Sequence, residues 1–307
     1  MNLIKSIKSY YKNPVRLFFH VGRVFLRLLN DKQYVKLLFR SKVGYSLNLD
    51  NPQSYNEKLN WLKVYDHNPL YTTMVDKYAV KNYVANIIGD KYIIPTLGVW
   101  DRFEDIDFKK LPQQFVLKCT HDSGGQIIVK DKDKLDIKNA RKKINKSLKR
   151  NFYLLAREWP YKNVKRRIIA EKYMEDSVTH DLRDYKFFVF DGVVKALFIA
   201  TERGSGEEVK FDFFDAEFNH LPFTQGHPNA DVMPSKPSRF EEMKEIAARL
   251  SKGFPQLRVD FYEVNGQVYF GEITIFHFGG IEPFEPREWD YKFGEWMSLP
   301  LDAREKS

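Results

Sequence analysis

One cysteine in 307 residues, Cys119, leaves no partner for an internal disulfide and fits a reducing compartment. The seven histidines form no cluster at zinc-ligand spacing with it or with one another. No run approaches the roughly 18 consecutive apolar residues that a membrane-spanning helix needs. No signal peptide with a small-residue cleavage site is visible either, so the expectation is a cytoplasmic protein. Internal repeats and low-complexity tracts are lacking. So is a Walker A loop, since no Gly-Lys-Ser/Thr opens a helix. Without an RNA-binding aromatic motif, nucleic acid is not an expected partner. What is present is apolar mass: 43% hydrophobic and 15% aromatic residues support a packed core and exclude global disorder. The length suits one large domain or two modest ones. A net charge of +9, spread along the chain, favours acidic partners such as nucleotides, uronic-acid polymers or anionic lipid.

The most informative stretch is Arg258 to Thr274, RVDFYEVNGQVYFGEIT, two strands joined at Asn265-Gly266. Register decides what its charges can do. A two-residue turn would put Asp260 and Glu272 on opposite faces, because side chains alternate along a strand. A three-residue loop, 264–266 with Gly266 at positive φ, puts Arg258, Asp260, Glu272 and Thr274 on one face, and that arrangement is the expectation. Two carboxylates so close need a cation between them. Hard oxygen ligands beside an arginine suit Mg²⁺ holding a polyphosphate.

Residues 14–40 read as a helix with a basic stripe at Arg16, His20, Arg23 and Arg27 beside an apolar one. Such a helix docks on the protein body or lies on an anionic membrane surface. Helices are expected near 57–65 and over 71–88, the second ended by Gly89 and carrying Lys77, and strands at 92–95 and 98–100. Strand 115–119 ends in Lys118 and leads through Thr120-His-Asp-Ser-Gly-Gly-Gln126 to strand 127–129. The glycine tip lets backbone N–H groups close on an oxyanion. Residues 136–159 form a basic helical stretch, a solvated face by default. Strand 167–174 contains Glu171-Lys172, and 184–190 and 193–200 form a hairpin about Asp191-Gly192. A polar loop with a short strand near 211–214 precedes helix 238–253, where Ser238 and Glu241 suggest a capping box; 276–286 reads as loop. Asp105-Ile-Asp107 and Asp131-Lys-Asp133 have the spacing that chelates a nucleotide-sugar diphosphate in glycosyltransferases, although both look like polar turns. His121, His180 and His277 fall near the candidate site, and Trp159, Trp289 and Trp296 are core residues or sugar platforms.

Taken in order, these segments resemble the ATP-grasp ligases, and among them the teichuronopeptide-biosynthesis (TupA-like) family. The resemblance rests on NPQSYNEKLNWLK, DKYAVKNYV, FVLKC, REWPYKN, AEKYMED, DYKFFVFDG and GEIT, across roughly residues 45–300. It implies an α+β ATP-grasp fold, with two α+β subdomains clasping a nucleotide between antiparallel sheets. A helical segment at 1–70 would precede them, the subdomains covering 71–175 and 176–307. It implies Lys77 and Lys118 on the phosphates, Thr120, Ser123, Gly124 and Gly125 in a covering loop, and Glu171, Lys172, Tyr173 and Met174 at the adenine hinge. Asp184 would take the ribose. Arg258 would act with Lys118 on the transferring phosphoryl group, and Asp260 and Glu272 would hold one or two Mg²⁺ ions, with Thr274 standing where many members carry Asn. The implied activity joins a sugar carboxylate to an amine through an acyl phosphate in surface-polysaccharide assembly. The alternatives are a metal-dependent glycosyltransferase of the same pathway and a non-catalytic glycan- or membrane-binding protein.

Overall fold

Two antiparallel sheets organise the residues that the computed structural model describes, 25–177, 182–202 and 208–305. The basic stripe at Arg16, His20 and Arg23, and His180, lie outside them, as does the side chain of Arg27.

Helix α1, Asp31–Val43, starts where Asn30 Oδ1 accepts the Gln33 N–H at 2.9 Å. The expected 14–40 helix is therefore interrupted: Phe25–Leu28 form a separate 3₁₀ turn, and α1 runs on to Gly44. Helix α2, Tyr55–Tyr65, opens with a capping box between Ser54 and Glu57. The 71–88 helix is two helices, α3 (Leu70–Val75) and α4 (Ala79–Ile88). Asp76 causes the break, because its Oδ1 accepts the N–H groups of Tyr78 (2.9 Å) and Ala79 (3.1 Å) and so starts a new helix. Residues 90–92 are a 3₁₀ turn rather than the start of a strand, and Ile93 makes only an isolated bridge to Phe270.

The smaller sheet contains β1 (Thr96–Trp100), β2 (Phe115–Cys119), β3 (Ile127–Val129) and β4 (Ile168–Lys172) in the order β1-β4-β2-β3. One face of it packs on helix α5, Ile137–Lys149, through Phe115, Leu117, Ala140, Ile144 and Ala170. The lysines and arginine of α5 point to water, so its basic stretch is a solvated face. The larger sheet contains β5 (Asp184–Phe190), β6 (Val193–Thr201), β7 (Lys210–Asp215), β8 (Leu257–Val264) and β9 (Gln267–Thr274), ordered β9-β8-β5-β6-β7. Helix α6, Phe240–Ser251, covers one of its faces with Phe240, Met243, Ala247 and Leu250. The capping box expected at its start does not form. Ser238 instead hydrogen-bonds Glu263, while Glu241 pairs with Lys236 and Lys244. Helix α7, Glu288–Glu295, and helices α2 to α4 join the core of the same sheet.

Candidate active site

The β8–β9 register departs from the expected one and still reaches the expected face. The turn has two residues, with Val264 paired to Gln267 and with Asn265 and Gly266 at φ of 51° and 72°. Alone, it would separate Asp260 from Glu272. A bulge at Gly271 inserts one extra residue, so that Glu272 pairs with Asp260 and Thr274 with Arg258. A side chain there would begin 3.0 Å from the Asp260 carbonyl oxygen and 3.1 Å from the Tyr262 ring.

Strand β5 widens this face, since Lys186 pairs with Asp260 and Phe188 with Arg258. Arg258 Nε and Nη2 donate to the two carboxylate oxygens of Asp260, each at 2.7 Å, and Nη2 also reaches Glu272 Oε1 at 3.0 Å. Lys186 bonds Asp260 and lies 2.7 Å from Asp184. Lys77 approaches Glu272 Oε2 at 3.4 Å, while its own N–H donates to the Thr120 carbonyl at 3.0 Å. The break between α3 and α4 thus ties the end of β2 to the hairpin.

Burial dominates the electrostatics and raises the Asp260 carboxyl, against Arg258 and Lys186. At Glu272 burial also pushes upward, but Lys77, Lys186 and Arg258 outweigh it and hold the group well below the usual carboxylate range. Its side chain nonetheless remains 41% exposed to solvent. Arg258 Nη1 donates to His277 Nδ1 (2.9 Å), which leaves the His277 proton on Nε2, donating to Gln225 Oε1 at 3.0 Å. Burial, then Arg258 and Lys186, keep that imidazole neutral.

A second cluster lies on the smaller sheet. Glu171 receives Lys118 Nζ at 2.5 Å and Lys81 Nζ at 2.6 Å, and Lys81 also donates to the Ile94 carbonyl at 2.7 Å. Burial alone would raise the Glu171 carboxyl, yet the two ammonium groups lower it. Beyond Lys118 the loop is pinned to α5. Ser147 Oγ donates to Asp122 at 2.6 Å, Arg150 reaches Asp122 at 3.3 Å, and His121 bonds the Arg150 carbonyl at 3.1 Å. Thr120 is buried and donates its hydroxyl to the Lys165 carbonyl at 2.7 Å; Ser123 and Gly124 are exposed, and Gly125 is partly so.

Of the remaining expected residues, Met174 is buried with Ile94 and Val264, Asp184 is buried against Lys186, and Tyr173 bonds Glu175 at 2.9 Å. Exposed Lys172 and half-buried Tyr173 line a cavity of about 690 Å³ with Leu97, Gln114 and Lys130, which contains none of the hairpin charges. Both Asp-x-Asp pairs are turn caps: Asp107 and Asp131 accept the N–H groups of Lys109 and Asp133 at 3.1 Å, and Asp105 pairs with Arg102. Trp289 stacks on Phe223 in the core. Sequence reasoning missed Lys81 and Lys186. Lys186 was detectable as a charge two residues from Asp184 inside an apolar strand.

Among the described residues no group of three or more His, Cys, Asp or Glu could hold a metal by itself. Asp260 and Glu272 do fit a magnesium ion that keeps phosphate oxygens among its ligands, because such sites need only one or two carboxylates. The exposed side chain of Glu272 is the accessible half of that pair.

A family model described as TupA-like ATP-grasp matches residues 57–298. Solved structures similar to this chain include D-alanine–D-alanine ligase from Bacillus anthracis with ATP (15% identity, 66% of this chain and 54% of that one, TM-score 0.39). The ATP-grasp ligase PsnB with minimal precursor, Mg and ADP is also similar (12%, 71% and 57%, TM-score 0.38). So is the D-cycloserine synthetase DcsG (14%, 74% and 70%, TM-score 0.40). The chain thus spans little more than half the length of the first two. Comparison with curated proteins finds no match.

Proposed function

The chain belongs to the TupA-like ATP-grasp family, and from that premise we propose that it is an ATP-dependent carboxylate–amine ligase. Its substrates in this reading are a sugar carboxylate, free or in a glycan, and an amino acid or other amine, joined in surface-polysaccharide assembly. The observation that carries the reading is the hairpin face, where Arg258, Asp260 and Glu272 meet Lys186 from β5 and Lys77 from the helix break.

A carboxylate does not acylate an amine in water without activation, and bound magnesium ATP supplies the phosphoryl group that makes it an acyl phosphate. Arg258, locked by Asp260 and His277, is preorganised to orient the transferring phosphoryl group, with Lys118 as its partner. Lys77 neutralises phosphate charge. Glu272 and Asp260, with Thr274 beside them, are the residues for one or two magnesium ions. Thr120, Ser123, Gly124 and Gly125 form the loop that excludes water. Glu171, Lys172, Tyr173 and Met174 form the adenine hinge, and Asp184 holds the ribose.

The work is done in the cytoplasm, at the inner face of a membrane if the segment around Arg16 and Arg23 binds anionic lipid. Among the described residues no helix is long and apolar enough to cross a membrane. The glycosyltransferase alternative loses its motif, because both Asp-x-Asp pairs are engaged in turns. Incubation with Mg·ATP, uronates and amines tests the ligase reading through release of ADP and phosphate. No release, with wild type and Lys118→Ala binding ATP equally, refutes it.

A further inference from the structure

The REWPYKN stretch gives this site a carboxylate that the reading above leaves without a role. Glu158 opens the 3₁₀ turn Trp159–Lys162 and is only partly buried. Among the described residues its carboxylate accepts no hydrogen bond and makes no ion pair. Its surroundings are nonetheless built. Lys63, 2% exposed, donates to the carbonyls of Gly279 (2.6 Å) and Ala156 (3.1 Å), which clamps the turn at 277–280 against the chain entering Glu158. Gly279 has a φ of 61°, and a Cβ on it would lie 3.0 Å from Ala156 and 3.5 Å from Glu158 Oε1. Two residues earlier in that turn, His277 holds Arg258. One turn therefore touches the proposed phosphoryl-orienting arginine at one end and Glu158 at the other. Tyr161 lies three residues on, at the third position of the 3₁₀ turn that Glu158 opens, and burial, then the charges of Glu158 and Glu272, keep its hydroxyl protonated.

We propose that Glu158 and Tyr161, backed by the 277–280 turn, form an amine subsite that takes the ammonium end of the nucleophile beside Arg258. The carboxylate is the open negative group of this wall: Lys63 places two of its three hydrogens on carbonyls and acts on Glu158 through space, without an ion pair. Binding of an ammonium ion there follows from this charge, which is fully present above pH 7. The catalytic part rests on the ligase reading. Glu158 takes one proton from the ammonium group, and the freed nitrogen lone pair attacks the carbonyl carbon of an acyl phosphate. The bond from that carbon to the phosphate oxygen breaks with its electron pair on phosphate, and the second nitrogen proton leaves with it as hydrogen phosphate, giving the amide. Burial pushes the Glu158 carboxyl up to about 7, against Lys63 and Arg258, which suits a group that exchanges protons near neutrality.

Saturation-transfer NMR with glycinamide, compared with its uncharged isostere glycolamide, reads the subsite without turnover. Wild type should favour glycinamide at least about fivefold, Glu158→Gln should lose that preference, and Glu158→Asp should regain part of it, as expected for a partly desolvated ion pair. Equal binding of both probes by wild type, or an undiminished preference in Glu158→Gln, overturns the subsite. The catalytic part is read as a ratio: rate with glycinamide over rate with hydroxylamine, which is largely uncharged at neutral pH and traps acyl phosphates as hydroxamates. Glu158→Gln should lower that ratio at least about a hundredfold, the lower end of the usual range for a general base. It should also abolish a rise in rate through pH 7, where Arg258, Tyr161 and Glu272 keep their charge states and only Lys63, which burial lowers to about 8, titrates nearby. An equal loss with both nucleophiles marks a structural role and overturns the catalytic part. Wild type that yields no hydroxamate instead refutes the ligase reading and leaves the NMR result to stand by itself.

Discussion

Glu171→Gln tests how strongly the smaller sheet depends on its internal ion pairs. The substitution keeps shape and removes the charge that two lysines share, at 2.5 Å and 2.6 Å. Glu171 and Lys81 are 6% and 10% exposed in their side chains, so one ammonium group would stay buried beside a neutral amide. Removing one partner of a buried pair typically costs about 3–5 kcal/mol. Lys118 is 20% exposed and can turn to water, which argues for the lower end, about 3 kcal/mol. For a chain of this size that corresponds to a fall of roughly 6 °C in Tm. The pH dependence has a definite sign. Because Glu171 has a lowered carboxyl pKa in the folded state, its stabilisation is complete above the unfolded value, about 4.3, and vanishes as pH falls through the folded one. The gap between wild type and Glu171→Gln should therefore be full at pH 7 and close progressively below pH 4.3. Thermal denaturation at pH 7, 5 and 3.5 measures it. A second change, Lys81→Met, should cost less in the Glu171→Gln background than in wild type, since the lysine is then already unpaired. A pH-independent gap, or a loss under about 0.5 kcal/mol at pH 7, would refute the account.

Two further substitutions address the glycine loop and the hairpin face. Valine at Gly125 would place its Cβ 2.5 Å from Ser147 Oγ and 3.0 Å from Asp122, prising the loop from α5. The KM for ATP should rise roughly tenfold, about 1.4 kcal/mol, and an unchanged value in steady-state assays means that the loop does not close on phosphate. Glu272→Gln should lower kcat by about 10²–10³ under saturating magnesium, with normal turnover refuting its metal role. Since Lys77, Lys186 and Arg258 hold Glu272 well below the usual range against burial, no fall in rate near pH 4–5 should come from its protonation.

How far the chain could be read depended on whether local residues or distant ones set each feature. The Asn265-Gly266 turn and the shared face of Arg258, Asp260 and Glu272 were legible because both follow from alternation along a strand. The device that achieves the face was misread. A glycine inside an apolar strand is itself a bulge signal, and Gly271 carried it. The break at Asp76 was local too, since an aspartate that caps two N–H groups competes with a continuing helix. Ser238 failed as a cap for a reason no local window contains, namely that Glu263 on β8 binds its hydroxyl. The same holds for Glu171, whose environment depends on Lys81 arriving from α4. Fold and hairpin were therefore readable, but the partners that set each charge were not.

Those partners bear on how a nucleotide can enter. On the hairpin face Lys77, Lys186 and Arg258 are matched one for one by Asp184, Asp260 and Glu272. Matching keeps the face folded without a ligand, since like charges at such separations would otherwise repel. It also means that a bare triphosphate gains three cations only by lying against three carboxylates. In the proposed reading, a divalent ion held by Glu272 and Asp260 would reverse the sign of that side of the face and free Lys77 and Arg258 for phosphate oxygens. Nucleotide and metal would then favour each other by the same factor, because coupling between two bound species is reciprocal. The cooperativity that the proposed reading requires thus follows from a charge balance fixed by Glu272, which faces Arg258 through one oxygen and Lys77 through the other.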